Sequence, residues 1–287
     1  MRKSVSEWCF PGDMPMADRM ALAAAAGFEG IEVALAEDPD GSLRSLGLLT
    51  VEALDAQADT IQSMADAAGI EISGVATGLH WAYSLTADDP EVRAKSLRLT
   101  ETLLRAGALL ASDTVLVIPG TVAAPFGTPA APVPYDVCYE RACEAIARLL
   151  PVAEEHQVRL GLEPVWNMFL LSPLEWKGLV DSFDSEWVSV YFDVGNVLLT
   201  GFPEQWIRIL GPRITRVHVK DFKRSVATLA GFCHLLEGDV NWPEVMEALR
   251  EIGYDGWLTA EVGPQSPYAP EHLIHVTAQA MARILAM

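Results

Sequence analysis

Four side chains able to bind a metal or move a proton stand at the ends of apolar, partly β-branched runs in the second half of this 287-residue chain. Glu163 closes Val158-Arg159-Leu160-Gly161-Leu162-Glu163, and Asp193 stands in Tyr191-Phe192-Asp193-Val194-Gly195-Asn196. His218 stands in Arg216-Val217-His218-Val219-Lys220-Asp221, and Glu261 closes Gly256-Trp257-Leu258-Thr259-Ala260-Glu261. Three carboxylates and one imidazole make an oxygen- and nitrogen-rich donor set. Such a set suits one divalent cation of moderate hardness, Mn²⁺, Mg²⁺ or Co²⁺, with Zn²⁺ also compatible. Taken singly, each residue has a plain structural use, since an acid at a strand end caps the next helix and a buried histidine is often a hydrogen-bonded core residue. Their joint position carries the inference. They lie about 30, 25 and 43 residues apart, roughly the spacing of successive or alternate βα units, and in a parallel barrel all strand C-termini open on one face.

The elements that would position these groups can be traced along the chain. Buried strands are expected at 4–8, 28–34, 70–76, 114–118, 158–163, 187–193, 214–219 and 256–262, each an apolar run of strand length. Helices are expected at 15–26, 51–68, 88–110, 135–157, 172–183, 203–210, 242–252 and 270–285. Gly27 and Gly69 stop the first two, and Asp88-Asp89-Pro90-Glu91 supplies an acidic, proline-containing start to the third. Strand followed by helix, eight times over, implies an α/β protein with a closed (β/α)₈ barrel. Such a barrel takes about 250 residues as one unit, so residues 1–287 are expected to form one domain. An open doubly wound sheet is the alternative, but no G-x-G-x-x-G follows any strand. The Pro-, Ala- and Gly-rich stretch 119–134 reads as a lid or binding loop.

Composition narrows the partners. The formal charge of −19 repels polyanions, which excludes DNA and RNA as expected ligands. Apolar residues make up 51% of the chain, enough for a large core, yet no apolar run approaches the roughly 20 residues of a membrane span. Met1 to Trp8 carries two positive charges with no apolar stretch before Pro11-Gly12, so a secretory signal is not expected and a cytoplasmic location is. Cys9, Cys138, Cys143 and Cys233 show no C-x-x-C pairing and read as ordinary buried thiols.

Leu162-Glu163-Pro164-Val165-Trp166-Asn167, Phe192-Asp193-Val194-Gly195-Asn196, His218-Val219-Lys220-Asp221 and the stretch from Gly238-Asp239-Val240-Asn241-Trp242 through Gly253 to Glu261 resemble the sugar isomerase/epimerase superfamily of xylose-isomerase-like TIM barrels. Within it they look most like the ketose 3-epimerases and pentulose-5-phosphate 3-epimerases. Gly27-Phe28-Glu29-Gly30-Ile31-Glu32-Val33 is also typical of the superfamily. The resemblance implies that Glu163, Asp193, His218 and Glu261 hold one divalent metal, and that Glu163 and Glu261 also serve as the acid/base pair. The implied substrate is a small sugar or sugar phosphate. A cation beside a ketone would stabilise the enediolate left when the neighbouring carbon loses its proton. Return of the proton from the opposite face inverts that carbon, whereas return to the adjacent carbon isomerises ketose to aldose.

Further residues are expected to touch the substrate. Many superfamily members carry D-x-G-H where this chain has Asp193-Val194-Gly195-Asn196; Asn196 cannot titrate but can hold a hydroxyl, a variant that the pentulose-phosphate epimerases share. Lys220 is placed to meet an anionic or hydroxylated ligand. His80 follows the third strand, where similar proteins carry a substrate-contacting histidine. Asn167 could reach a sugar hydroxyl, Trp8 could offer apolar surface to sugar C–H faces, and Asp221 is expected to cap or orient. Competing readings are a dehydratase of the inosose dehydratase kind, a non-catalytic sugar- or metal-binding barrel, and a nuclease sharing the barrel. The last needs more metal ligands and a basic face. A homodimer or a homotetramer is left open.

Overall fold

The computed structural model describes residues 1–127, 131–263 and 268–287. Among them, eight parallel strands close into a barrel. They are β1 (Arg2–Ser6), β2 (Gly30–Ala34), β3 (Glu71–Ala76), β4 (Thr114–Val117), β5 (Arg159–Leu162), β6 (Val188–Asp193), β7 (Ile214–Val219) and β10 (Trp257–Ala260). A two-stranded antiparallel ribbon, β8 (Asp221–Phe222) with β9 (Phe232–Cys233), lies outside it. Around the barrel the order is β1-β10-β7-β6-β5-β4-β3-β2. The expected (β/α)₈ architecture is the one observed.

The helices pack outside because their apolar stripes and the outward faces of the strands share one continuous core, from Val5 and Met20 through Ile146 and Leu149 to Met281 and Ile284. Start and stop signals act locally. Asp89 accepts a hydrogen bond from the Glu91 amide to begin Pro90–Leu109, and Ser172 with Glu175 forms a reciprocal cap on Pro173–Asp181. Gly27 and Gly69 close their helices with φ of 90° and 68°, a left-handed conformation that side chains disfavour. The lumen, by contrast, holds polar groups that bond between strands that are not neighbours. Ser4 of β1 meets Ser73 of β3, and Arg216 of β7 donates from Nε to the Ser73 carbonyl at 3.0 Å. A small apolar group, Ala76, Leu116, Ile118 and Tyr191, forms a separate cluster there.

Three local departures bear on the site. The first strand was expected at 4–8 but ends at Ser6, whose side chain accepts from the Trp8 amide and turns Glu7–Cys9 into a 3₁₀ helix. His80 sits in a short helical turn, Leu79–Ala82, where a loop was expected. The ribbon after β7 was not anticipated; two-residue strands leave too short a pattern to read. Residues 128–130, part of the stretch expected to form a lid or binding loop, lie outside the described residues.

The Glu7–Cys9 turn is anchored beneath Trp8. Glu7 accepts from the Ala34 amide at 2.8 Å and faces Arg19 Nη1 at 3.5 Å, both side chains almost fully enclosed. Arg19 also donates to the carbonyls of Met14, Pro11 and Gly12, so one guanidinium ties down the whole β1–helix connection. Burial pushes the Glu7 carboxyl up to about 7, against the pull of the Ala34 amide and Arg19. Removing one partner of such a pair strands the other in a poorly solvating interior. Arg19→Ala is expected to lower the unfolding free energy by about 3–5 kcal/mol, measured by urea denaturation. A loss below about 1 kcal/mol would place the pair among ordinary surface bridges.

Candidate active site

At the C-terminal mouth of the barrel, β10, β7, β6 and β5 stand side by side and present Glu261, His218, Asp193 and Glu163 in that order. Asp193 and His218 face one another in the β6–β7 register. Glu163 and Glu261 come one residue after their strands, with amides still bonded to the carbonyls of Val117 and Val219. One ligand atom from each of the four residues lies within 4.8 Å of all the others; Glu163, Asp193 and His218 are buried and Glu261 is half-buried. The turn after β6 is closed tightly on β7. A Cβ on Gly195 would stand 2.6 Å from Lys220 Cβ, so a glycine is required there.

Histidine and lysine offset the clustered negative charge. His218 Nδ1 lies 2.9 Å from Glu261 Oε2, 3.3 Å from Glu163 Oε1 and 3.8 Å from Asp193 Oδ2. Lys220 Nζ bridges Asp193 Oδ2 at 3.0 Å and Glu261 Oε2 at 2.9 Å. Burial pushes the Glu163 carboxyl up to about 7, although His218 and Lys220 pull the other way, and burial likewise raises Asp193. For Glu261 burial also acts upward, but Lys220 and His218 prevail and hold it down at about 2. Burial alone would lower His218 and Lys220; the surrounding carboxylates raise both instead.

The donor set fits a divalent cation. Ligands on opposite sides of one ion with bonds of about 2.0–2.2 Å stand roughly 4.0–4.4 Å apart, close to the spread seen here. Asp193 Oδ2 is enclosed and accepts no well-directed hydrogen bond, its charge being met by the ammonium 3.0 Å away. A buried carboxylate oxygen in that condition is what an ion would complete.

A cavity of about 620 Å³ opens over Lys220 and Glu261, walled by Trp8, Leu229, Phe232 and Val262. Of the residues expected to touch substrate, Trp8 and Lys220 line this cavity. The other three are engaged within the protein. Asn167, fully buried, donates to the Gly120 carbonyl at 2.7 Å and accepts from the Phe169 amide. Asn196 donates from its side chain to the Pro164 carbonyl at 3.0 Å and from its amide to Asp193 Oδ1 at 2.8 Å, which steadies the aspartate. His80 Nδ1 accepts from the Ile118 amide and Nε2 donates to Thr100 Oγ1 at 3.0 Å. Of its two expected roles Asp221 takes the orienting one, accepting from the Leu236 amide and Trp242 Nε1 and so pinning the chain after the ribbon.

Sequence reasoning missed Glu32, a buried carboxylate in contact with His218. The signal was present: a lone glutamate inside Gly30-Ile31-Glu32-Val33-Ala34 must point opposite to Ile31 and Val33, into the lumen.

An eight-stranded parallel barrel with carboxylate and imidazole side chains gathered at its C-terminal mouth is the architecture of a barrel enzyme. The chain belongs to the xylose isomerase-like TIM barrel family, which it matches over residues 20–283. It is 24% identical over 281 residues to L-ribulose-5-phosphate 3-epimerase UlaE of Escherichia coli O1:K1, covering 93% of this chain and 88% of that protein. Its fold is that of D-psicose 3-epimerase, solved in the presence of D-fructose, with a TM-score of 0.78, 20% identity and full coverage of both chains. It is also that of the IolI protein solved with a bound zinc atom, with a TM-score of 0.77, 14% identity, and 100% and 98% coverage.

His80 gives this region a pH signature. Burial lowers its pKa from 6.5 to about 4, so the folded protein keeps it neutral while the unfolded chain takes up a proton below pH 6.5. Its contribution to stability is therefore present above that pH and lost as pH falls toward 4. Between pH 7 and pH 5 the loss from this group should be about 2 kcal/mol. Glu7 and Glu163, raised to about 7, act in the opposite sense over this range, so the readout is a difference: the change in unfolding free energy from pH 7 to pH 5, by urea denaturation, should be less favourable in the wild type than in His80→Gln by about 2 kcal/mol.

Proposed function

We propose that this protein is a divalent-metal-dependent isomerase or epimerase of a small sugar or sugar phosphate. The supporting observation is the ligand order around the mouth, Glu261–His218–Asp193–Glu163. It puts the two glutamates at the two ends of an arc, with the imidazole and aspartate between them. A sugar carbon held above the ion, at the open side of that arc, would have one carboxylate toward each face. Sugar-epimerase activity among relatives and fold neighbours, and the zinc atom in the IolI structure, agree with the reading.

Glu163, Asp193, His218 and Glu261 would hold the ion. When bound, a divalent cation supplies positive charge to offset the negative oxygen that develops as a carbon next to a carbonyl loses its proton. One glutamate, as carboxylate, takes that proton; the other, as carboxylic acid, returns one from the opposite face, and exchange with solvent resets the pair. Lys220 is placed to bind a substrate oxygen while balancing Asp193 and Glu261. Trp8 and Phe232 supply apolar walls against which sugar C–H faces can pack. The metals favoured by the donors are Mn²⁺, Mg²⁺ and Co²⁺.

The test is solvent-deuterium incorporation into a panel of ketopentoses, ketohexoses and their phosphates, run with Mn²⁺ and then with chelator. Label is expected next to the carbonyl with metal and is expected to vanish without it. Glu163→Gln and Glu261→Gln should each lower turnover by about 10²–10⁴-fold. A panel that stays unlabelled with every metal would end the enolisation reading.

A further inference from the structure

Glu32 lies in the middle of β2 with none of its surface exposed. Both its oxygens lie near His218 Nε2, at 2.9 and 3.1 Å, and it also accepts from the Tyr191 hydroxyl. His218 belongs to β7 and Tyr191 to β6, and β6 is directly opposite β2 in the strand order. The three side chains therefore meet across the barrel lumen, beneath the carboxylate arc.

The backbone is shaped for this meeting. The β2–β3 ladder runs from Ile31↔Ile72 to Glu32↔Gly74, skipping Ser73, and the β6–β7 ladder from Val190↔Ile214 to Tyr191↔Arg216, skipping Thr215. Extra residues in parallel ladders are rare and re-aim the side chains beside them. Both breaks fall beside the two residues that join. Two glycines make room for the tyrosine: a Cβ on Gly74 would stand 2.8 Å from the Tyr191 hydroxyl, and one on Gly161 3.0 Å from its Cδ2. The Tyr191 ring also packs edge-on against the imidazole, with centroids 4.8 Å apart.

An imidazole binds an ion through one nitrogen, and the hydrogen bond at its other nitrogen decides which one is offered. His218 turns Nε2 toward Glu32 and Nδ1 toward Glu163, Asp193 and Glu261. We propose that Glu32, itself held by the Tyr191 hydroxyl, is a positioning residue that fixes the His218 ring with Nδ1 presented to the ion. This rests on the metal-site reading above. A carboxylate rather than an amide belongs there because it can only accept, so it holds Nε2–H in one orientation and raises the donor strength of Nδ1.

The experiment is calorimetric titration of Mn²⁺, and separately of Co²⁺ with its visible spectrum recorded, into chelator-treated wild type, Glu32→Gln and Tyr191→Phe. Glu32→Gln should weaken ion binding by about 10–100-fold and alter the Co²⁺ band pattern. Tyr191→Phe, which leaves the His218 contact in place, should weaken binding by a smaller factor in the same direction and keeps the test intact if Glu32→Gln does not fold. Thermal unfolding in chelator separates a purely structural role. Variants that are less stable yet bind both ions as tightly as wild type, with an unchanged Co²⁺ spectrum, would overturn the proposal alone. A wild type that takes up neither ion would overturn the metal site, and this inference with it.

Discussion

Enclosing three carboxylates within a few ångströms of one another is the constraint on which the rest of this structure turns. Glu163, Asp193 and Glu261 would repel one another and resist desolvation if nothing positive stood among them. The chain supplies an imidazole and an ammonium from one strand and its end, His218 and Lys220, and these contact all three acids. A divalent cation bound through His218 Nδ1 would replace the imidazolium proton and leave Lys220 to balance the remaining negative charge. Substrate oxygens would then meet a nearly neutral site, where small shifts of charge during reaction have a large electrostatic effect.

Topology makes such a concentration of charge affordable. In a parallel barrel each strand offers one or two side chains to the mouth, and the following helix carries the chain away. The acids thus arrive from strands held by backbone ladders rather than from loops.

Much of this was legible in the amino-acid sequence, for a physical reason. Buried parallel strands read as apolar runs, glycines and capping residues punctuate the helices, and a charged residue at the end of an apolar run stands out. Glu163, Asp193, His218 and Glu261 were visible on those grounds. What stayed hidden depends on partners distant along the chain. Asn167 and His80 carry polar groups suited to a ligand, yet each satisfies backbone amides or carbonyls of the β4 exit, at Ile118 and Gly120. Glu32 differs: alternation turns it away from Ile31 and Val33, but its partners Tyr191 and His218 are defined only when the barrel closes. The ribbon formed by β8 and β9 escaped notice because two residues hold no period.

The tight approach at Gly195 has one more consequence. Its missing methyl lets the Asp193 turn rest directly against the stem of Lys220, so the aperture of the quartet is gauged by an atom the sequence leaves out. A side chain at position 195 would have to drive the two segments apart by about 1 Å to reach ordinary contact, since its Cβ would start 2.6 Å from Lys220 Cβ. The distance between Asp193 and Lys220 is thus governed by a residue that belongs to neither.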